Sequence, residues 1–285
     1  EEAHYSLIRD FNIFYRLKKR QTILNKFLYT NRTIDRVELD NAFAELAKSK
    51  DIQIRENTTI SEHDAGRKEL KLSNGETITY KKLIFADGTS GFGSRLQTAH
   101  KKNIAMQLVF PNSAAEEIQI HFGITKRGYG WVSSYGGFTN VGLTDVFDKS
   151  VNYHEAFADF MKQLGLQADM SELRGAFTPM EVGEGKACED IYFVGDAVGA
   201  CDPMTLSGLR YGLDSGRLCA EAIAKKDDRL YFACIRKMKK KFALMRTLQK
   251  IFYLKFCQIC VFDIGCRCFH RTIAYVFNQF FVNKK

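Results

Sequence analysis

The chain has 285 residues, 45% of them hydrophobic and 26% charged, a composition ordinary for a globular protein and sufficient to bury one large core or two smaller ones. Its formal charge of +9 favours anionic partners such as phosphates, acidic lipid or nucleic acid without choosing among them. Eight cysteines are too sparse for a disulfide scaffold, no N-terminal segment resembles a secretion signal, and no apolar run reaches the roughly 20 residues needed to span a bilayer. The expectation is therefore reduced thiols in a cytoplasmic setting. A start at Glu1, inside a strand-like region, adds the expectation that residues have been removed upstream.

Residues 5–30 hold two apolar clusters, Phe11, Ile13, Phe14 and Tyr15, then Ile23, Leu24, Phe27, Leu28 and Tyr29, which suit helix and strand equally. Asp35 to Lys48 reads as a helix: Val37, Leu39, Ala42, Phe43, Leu46 and Ala47 fall on or near one face, and Asp35 is placed to cap it. Gln53–Ile60 and Glu69–Tyr80 read as strands, the second folded by the hairpin signal Asn74-Gly75. Leu83 to Ala86 forms a buried strand that ends at Asp87-Gly88. Strand-like alternation then runs through Ala105–Phe110, Glu117–Ile124, Gly130–Ser134 and Thr139–Thr144, with glycines at 128, 130, 136 and 137 for the turns, which predicts a mixed or antiparallel sheet. Val151–Leu164 returns to helix.

The stretch from Ile191 to Lys226 has the order strand, polar loop, helix. Ile191 to Val194 is a short apolar run broken at its carboxyl end by Gly195 and Asp196. Pro203, Ser207 and Gly208 open the next segment, and Leu209, Leu213, Cys219, Ala220 and Ile223 then recur at helical spacing. Ligands of open α/β sheets gather at the carboxyl ends of strands. A carboxylate there can accept a hydrogen bond from a polyol chain while glycines admit a close backbone approach. A helix start supplies unpaired N–H groups and a favourable dipole to an anionic group.

Three blocks carry a family resemblance: Arg36-Val37-Glu38-Leu39-Asp40, then Ile84-Phe85-Ala86-Asp87-Gly88-Thr89-Ser90, and Val194-Gly195-Asp196-Ala197 followed by Pro203 and Gly208. Together they resemble the C-terminal two-thirds or more of a flavoprotein of the aromatic hydroxylase superfamily, most closely the geranylgeranyl reductase family. The resemblance implies an α/β (α+β) fold in which an FAD-binding nucleotide domain is interrupted by a mainly antiparallel sheet substrate domain and followed by a helical C-terminal region. The corresponding segments are 1–100 and 181–226 for the FAD-binding domain, 101–180 for the sheet domain and 227–285 for the helical region. It implies FAD as cofactor, NAD(P)H or another reductant as electron donor, and a lipid-like substrate. Asp87, Gly88, Gly195, Asp196, Pro203, Ser207, Gly208 and Leu209 would then bind the flavin, with Asp196 on the ribityl hydroxyls and Ser207, Gly208 and Leu209 at the helix start. Tyr129 and Trp131 match the first part of the family's aromatic segment on the substrate side, with Tyr135 nearby. Ser133, Ser134 and Tyr135 stand where Phe, Pro and Lys would be expected, Leu206 replaces a frequent glycine, and no G-x-G-x-x-G turn occurs in these residues. The resemblance leaves three activities open: reduction of carbon–carbon double bonds in an isoprenoid, flavin-dependent hydroxylation or halogenation of an aromatic or polyketide, and a flavin-free remnant that binds lipid or protein.

No catalytic acid or base declares itself, and Tyr135 and His121 are the candidate proton donors. Cys257-x-x-Cys260 and Cys266-x-Cys268 with His270 offer ligands to a metal, but the surrounding Phe252, Tyr253, Phe256, Val261, Phe262 and Phe269 suit buried thiols better. Cys201 stands in the loop after Asp196, either as a reactive thiol or as a small filler. From Arg236-Lys237-Met238-Lys239-Lys240-Lys241 onward, basic clusters alternate with apolar residues. Three readings fit: a lid over an apolar tunnel, a peripheral surface on anionic lipid at the inner face of a membrane, and, ranked last for want of a recognition motif, nucleic-acid binding.

Overall fold

A computed structural model describes residues 5–7, 10–24, 32–34, 36–97, 101–112, 117–188, 190–268 and 270–277. Strands β1 (Tyr5–Leu7), β2 (Asp10–Tyr15), β3 (Lys18–Leu24) and β4 (Arg32–Ile34) precede helix α1 (Arg36–Lys48). Then come β5 (Ile60–Asp64), β6 (Glu69–Leu72), β7 (Thr77–Thr79), β8 (Leu83–Phe85) and the short helix α2 (Phe92–Arg95). Strands β9 (Lys102–Pro111), β10 (Glu117–Phe122), β11 (Tyr129–Tyr135) and β12 (Phe138–Val146) lead to α3 (Tyr153–Gln163) and β13 (Arg174–Pro179). After β14 (Lys186–Cys188) and β15 (Ile191–Phe193) the chain is helical: α4 (Leu209–Lys225), α5 (Arg229–Phe252), α6 (Lys255–Ile259), a π-helical segment at Cys260–Gly265, α7 (Cys266–Cys268) and α8 (His270–Phe277). Two compact units emerge: residues 1–35, 102–178 and 244–285 form one, and residues 36–101 and 179–243 the other.

The first unit is built on a seven-stranded sheet in the order β13-β9-β12-β11-β10-β2-β3. Strands β9, β12, β11 and β10 pair antiparallel, whereas β2 joins β10 in parallel, with Phe11, Ile13 and Tyr15 opposite Ile118, Ile120 and Phe122. Side chains alternate across a strand, so these six residues share one face. That face packs on the C-terminal helices: the Tyr15 ring stacks on Phe262 at 4.8 Å, and Phe122 meets Phe252 edge-on at 5.4 Å. The opposite face carries Leu108, Val132, Val141 and Leu143, covered by Tyr153, Phe157, Phe160 and Met161 of α3. Each fully buried aromatic or methionine there contributes roughly 1.5–3 kcal/mol of hydrophobic stabilisation. Helix α3 starts where Asn152 accepts a hydrogen bond from the Glu155 N–H.

The second unit holds two three-stranded sheets, β14-β15-β8 and β5-β6-β7. The Asn74-Gly75 hairpin is present as expected, with Gly75 at φ 84°. The strand expected over Gln53–Ile60 is not formed. Asn57 adopts φ 52° and turns the chain, and β5 begins only at Ile60. Helix α1 has the predicted span, but none of its residues is buried and Val37 remains 68% exposed. Asp35, expected to cap it, lies outside the described residues, as do Phe27, Leu28 and Tyr29. Asp190 carries ion pairs from both Lys68 and Lys82, which hold its carboxyl down to about 2 and tie the β5–β6 hairpin to the entry of β15.

Candidate functional site at the carboxyl ends of two parallel strands

Within the second unit, β15 runs parallel to β8, with Phe193 opposite Phe85, and the Val194 N–H donates to the Phe85 carbonyl at 2.9 Å. Both strands therefore end on the same side, and beyond those ends stand the two Asp-containing turns, Asp87-Gly88 and Gly195-Asp196. The two carboxylates are used differently. Asp87 Oδ2 accepts the Gly93 N–H at 2.7 Å and fixes the start of α2. Asp196 is left with more freedom.

Gly195 takes φ 59°, a left-handed conformation in which a Cβ would be strained. Its N–H donates to Ser215 Oγ at 3.0 Å, and the Ser215 hydroxyl donates to the Gly212 carbonyl at 3.0 Å, so the turn is pinned to α4. This brings Asp196 against the start of that helix. A Cβ on Gly208 would sit 2.9 Å from Asp196 Oδ1, so a larger residue there would push the carboxylate tip aside. The N-cap Gly208 has no side chain to cap α4, and the start of that helix lies beside the carboxylate. Burial pushes the Asp196 carboxyl up, and the nearby Thr89 hydroxyl and Arg36 guanidinium partly oppose the shift. Thr89 Oγ1 lies outside hydrogen-bonding geometry and is a buried hydroxyl with no partner among the described residues.

The loop between Asp196 and α4 is held from within. Asp202 Oδ1 accepts the N–H groups of Met204 and Thr205 at 2.9 and 3.1 Å, and the Leu206 N–H donates to the Asp202 carbonyl at 2.8 Å. Leu206 adopts φ 54°, a conformation natural to the glycine it replaces and costing an L-residue about 1–2 kcal/mol. Cys201 and Pro203 are buried in the loop, Gly208 is half-buried, and Ser207 and Leu209 are exposed. The sequence signalled Gly195, Asp196 and Gly208. It gave no signal for Ser215 or Asp202, whose roles depend on contacts closed by the fold, and Thr89 was visible only as the residue following Asp87-Gly88.

In the first unit, Tyr129 and Trp131 lie on the sheet face that packs against the C-terminal helices. The Trp131 indole fills the space above Gly142, where a Cβ would come within 2.0 Å of Cζ2, and its Nε1–H donates to Asn140 Oδ1 at 3.3 Å. His121 pairs with Gly130 across the strands and so points to the other face, under α3, where it stacks on Phe14 at 4.4 Å and meets Phe160 edge-on at 5.3 Å. It belongs to the α3 core and not to the aromatic face of Tyr129 and Trp131. The side chain of Tyr135 lies outside the described residues.

The C-terminal cysteines are dispersed. Cys266 is buried and its thiol is pushed up to about 11, Cys268 is exposed, and Cys257 and Cys260 are half-buried. Among the described residues no three His, Cys, Asp or Glu side chains gather as a metal site. The His270 side chain and Phe269 lie outside the description.

This fold, with two Asp-containing turns at adjacent parallel strand ends and a large, mainly antiparallel sheet inserted in the chain, is that of the FAD-binding flavoproteins of the aromatic hydroxylase type. It is similar to a geranylgeranyl bacteriochlorophyll reductase-like protein from Thermoplasma acidophilum, with a TM-score of 0.70 at 17% identity over 96% of this chain and 80% of that one. A triple mutant of a flavin-dependent brominase gives a TM-score of 0.68 at 17% identity, over 95% of this chain and 78% of the brominase. Among curated proteins, a menaquinone reductase of Mycolicibacterium smegmatis is 26% identical over 222 residues, 68% of this chain and 54% of that protein. The chain spans about half the length of the curated relatives it matches. No protein-family model matches it.

Proposed function

We infer that this chain carries part of the working site of an FAD-dependent oxidoreductase that reduces carbon–carbon double bonds in an isoprenoid or similar lipid. The observation behind this reading is the half-buried Asp196 carboxylate set close against the start of α4 at Gly208. A carboxylate whose charge is raised in energy by burial gains from a hydroxyl donor, and the ribityl chain of a flavin offers several. Thr89 adds a buried hydroxyl beside the same carboxylate, placed to bond the same chain. The first-turn N–H groups of α4, in front of Gly208 and Leu209, suit the electron-rich edge of the ring. These residues fit the flavin half of FAD; none of the motifs in the sequence grips its pyrophosphate.

When bound and reduced by an electron donor, the flavin would supply the hydride for reduction of an alkene. The chain's residues hold and orient: Asp196 and Thr89 fix the polyol, the loop braced by Asp202 sets the distance to α4, and buried Cys201 and Pro203 keep water from that side. We assign Trp131, which keeps part of its ring exposed, to apolar contact with substrate on β11, together with the neighbouring Tyr129 and Tyr135. The isoprenoid choice draws on two similar proteins: one is a menaquinone reductase and the other geranylgeranyl reductase-like, and both names denote compounds bearing polyisoprenoid chains.

The test is anaerobic. FAD bound to the protein is reduced chemically, and a short polyprenyl alcohol or menaquinone is then added while the visible flavin bands are followed. Return of the oxidised bands without oxygen, with a saturated product by mass spectrometry, is the expected result. Reoxidation that needs oxygen and yields a hydroxylated or halogenated product would establish the hydroxylase or halogenase reading, and failure to bind any flavin would sink both.

A further inference from the structure

The second half of α5 presents two stripes of opposite use. Along the inner stripe, Gln249 is buried and Phe252 packs on Phe122 and Phe262 of the first unit. One residue earlier in each turn runs an outer stripe of Leu244, Leu248 and Ile251, spaced four and three apart and so on one side of the helix. Leu254, at the break before α6, and Phe256 within α6 add two more exposed apolar side chains. These are exposed, Leu244 at 59%, Leu254 at 58% and Phe256 at 77%. Five large apolar side chains within thirteen residues are exposed, a density of the kind that marks an interaction site.

Within residues 244–285 the charge is almost all of one sign. Lys250 and Lys255 stand exposed beside Ile251 and Leu254, and Arg267 and Arg271 are exposed further along. Residues 244–285 carry seven Lys and Arg against a single carboxylate, Asp263, and that carboxylate is already bound to Arg20 at 2.7 Å. An exposed apolar stripe flanked by unopposed cations complements a layer that is anionic at its surface and apolar beneath it. Among the described residues no helix is long and apolar enough to cross a membrane, so contact through this region would lie along the surface.

We propose that Leu244, Leu248, Ile251, Leu254 and Phe256, with Lys250 and Lys255, form a docking face for an anionic lipid bilayer, the apolar side chains entering the headgroup boundary and the lysines meeting the lipid charge. The geometry favours lipid over a second copy of the chain, since this positive surface meets an equally positive one in a symmetric pair.

The full chain is sedimented with vesicles of phosphatidylcholine alone and of phosphatidylcholine with about one-third phosphatidylglycerol, at low and high salt. Binding to the anionic vesicles is expected to exceed binding to the neutral ones at least about tenfold, and to weaken with salt. Lys250→Gln with Lys255→Gln lowers the anionic-vesicle affinity about thirtyfold, at roughly fivefold per lysine. Leu248→Gln with Ile251→Gln lowers it at least about tenfold while leaving the far-ultraviolet circular dichroism unchanged. Vesicle binding unaffected by both pairs overturns the proposal, as does no binding to either vesicle. A dimer in sedimentation velocity that Leu248→Gln with Ile251→Gln dissolves would also overturn it, by assigning the stripe to a second copy. Vesicle binding needs no flavin, so the outcome stands apart from the reductase reading.

Discussion

Gly208 lets the Asp196 carboxylate lie close against the start of α4. Gly208→Ala sets a carbon 2.9 Å from Asp196 Oδ1, and either the carboxylate or the helix start must move. Flavin affinity, measured by quenching of flavin fluorescence, is expected to fall at least about tenfold, as a lost charge-assisted hydrogen bond of about 1.5–3 kcal/mol would produce. Asp196→Ala is expected to fall by a similar factor, whereas Asp87→Ala, which removes the α2 cap, should act on thermal stability by about 1 kcal/mol before it acts on flavin. His121 supplies a pH test of the other unit. Its ring is buried, Nδ1 has no partner among the described residues, and burial holds it at about 4 against an ordinary 6.5. The unfolded chain takes up a proton there as pH falls through 6.5 and the folded chain does not, so the stability from burying the neutral ring is complete above pH 6.5. It is lost toward pH 4, by on the order of 3 kcal/mol. Asp145 and Asp196, both raised by burial, act in the opposite sense, taking up protons in the folded state first and gaining stability as pH falls. The diagnostic is therefore the difference between the protein and His121→Gln in urea unfolding from pH 7 to pH 4.5; parallel curves would remove His121 from the pH response.

Elements that repeat a local pattern were legible before any coordinates. Alternation gave β9 to β12, helical spacing gave α3 and α4, and Asn74-Gly75 gave the β6–β7 turn. The parallel pairing of β2 with β10 was not legible, because it joins segments more than a hundred residues apart and the residues near the N-terminus suit helix as well as strand. Gln53–Ile60 failed for a different reason: its isoleucines and threonines suit a strand, but Asn57 is in a left-handed turn that no period predicts. The brace between α5 and the β14–β15 sheet was equally hidden. The Tyr231 hydroxyl bonds the carbonyls of Gly185, at 2.9 Å, and Phe193, and burial raises its phenol well above the usual range. Tyr231→Phe leaves the Phe193 carbonyl short of a donor in a buried setting, and chemical denaturation should show a loss of about 1–3 kcal/mol, confined to the transition of the second unit if the two units unfold separately.

At the scale of the whole molecule the candidate flavin site is drawn from two stretches far apart in sequence: the turn after β8, and the turn, loop and helix after β15. Its three anchoring features, the Asp196 carboxylate, the Thr89 hydroxyl and the α4 start, all suit the hydroxyl chain and ring of a flavin. The sequence holds no glycine-rich turn of the kind that seats a pyrophosphate on a helix. This division of labour makes a quantitative claim about which part of the cofactor these residues recognise. FMN and FAD share the ring and ribityl chain and differ in the adenylate half. If the anchors above carry the binding, the two should bind this chain with dissociation constants within about threefold of each other, since nothing distinguishes them by as much as about 0.7 kcal/mol. Asp196→Ala should then weaken both by the same factor. An FAD preference beyond about tenfold would place a pyrophosphate or adenine contact among these 285 residues and would require a binding arrangement different from the one built on Asp196 and Gly208.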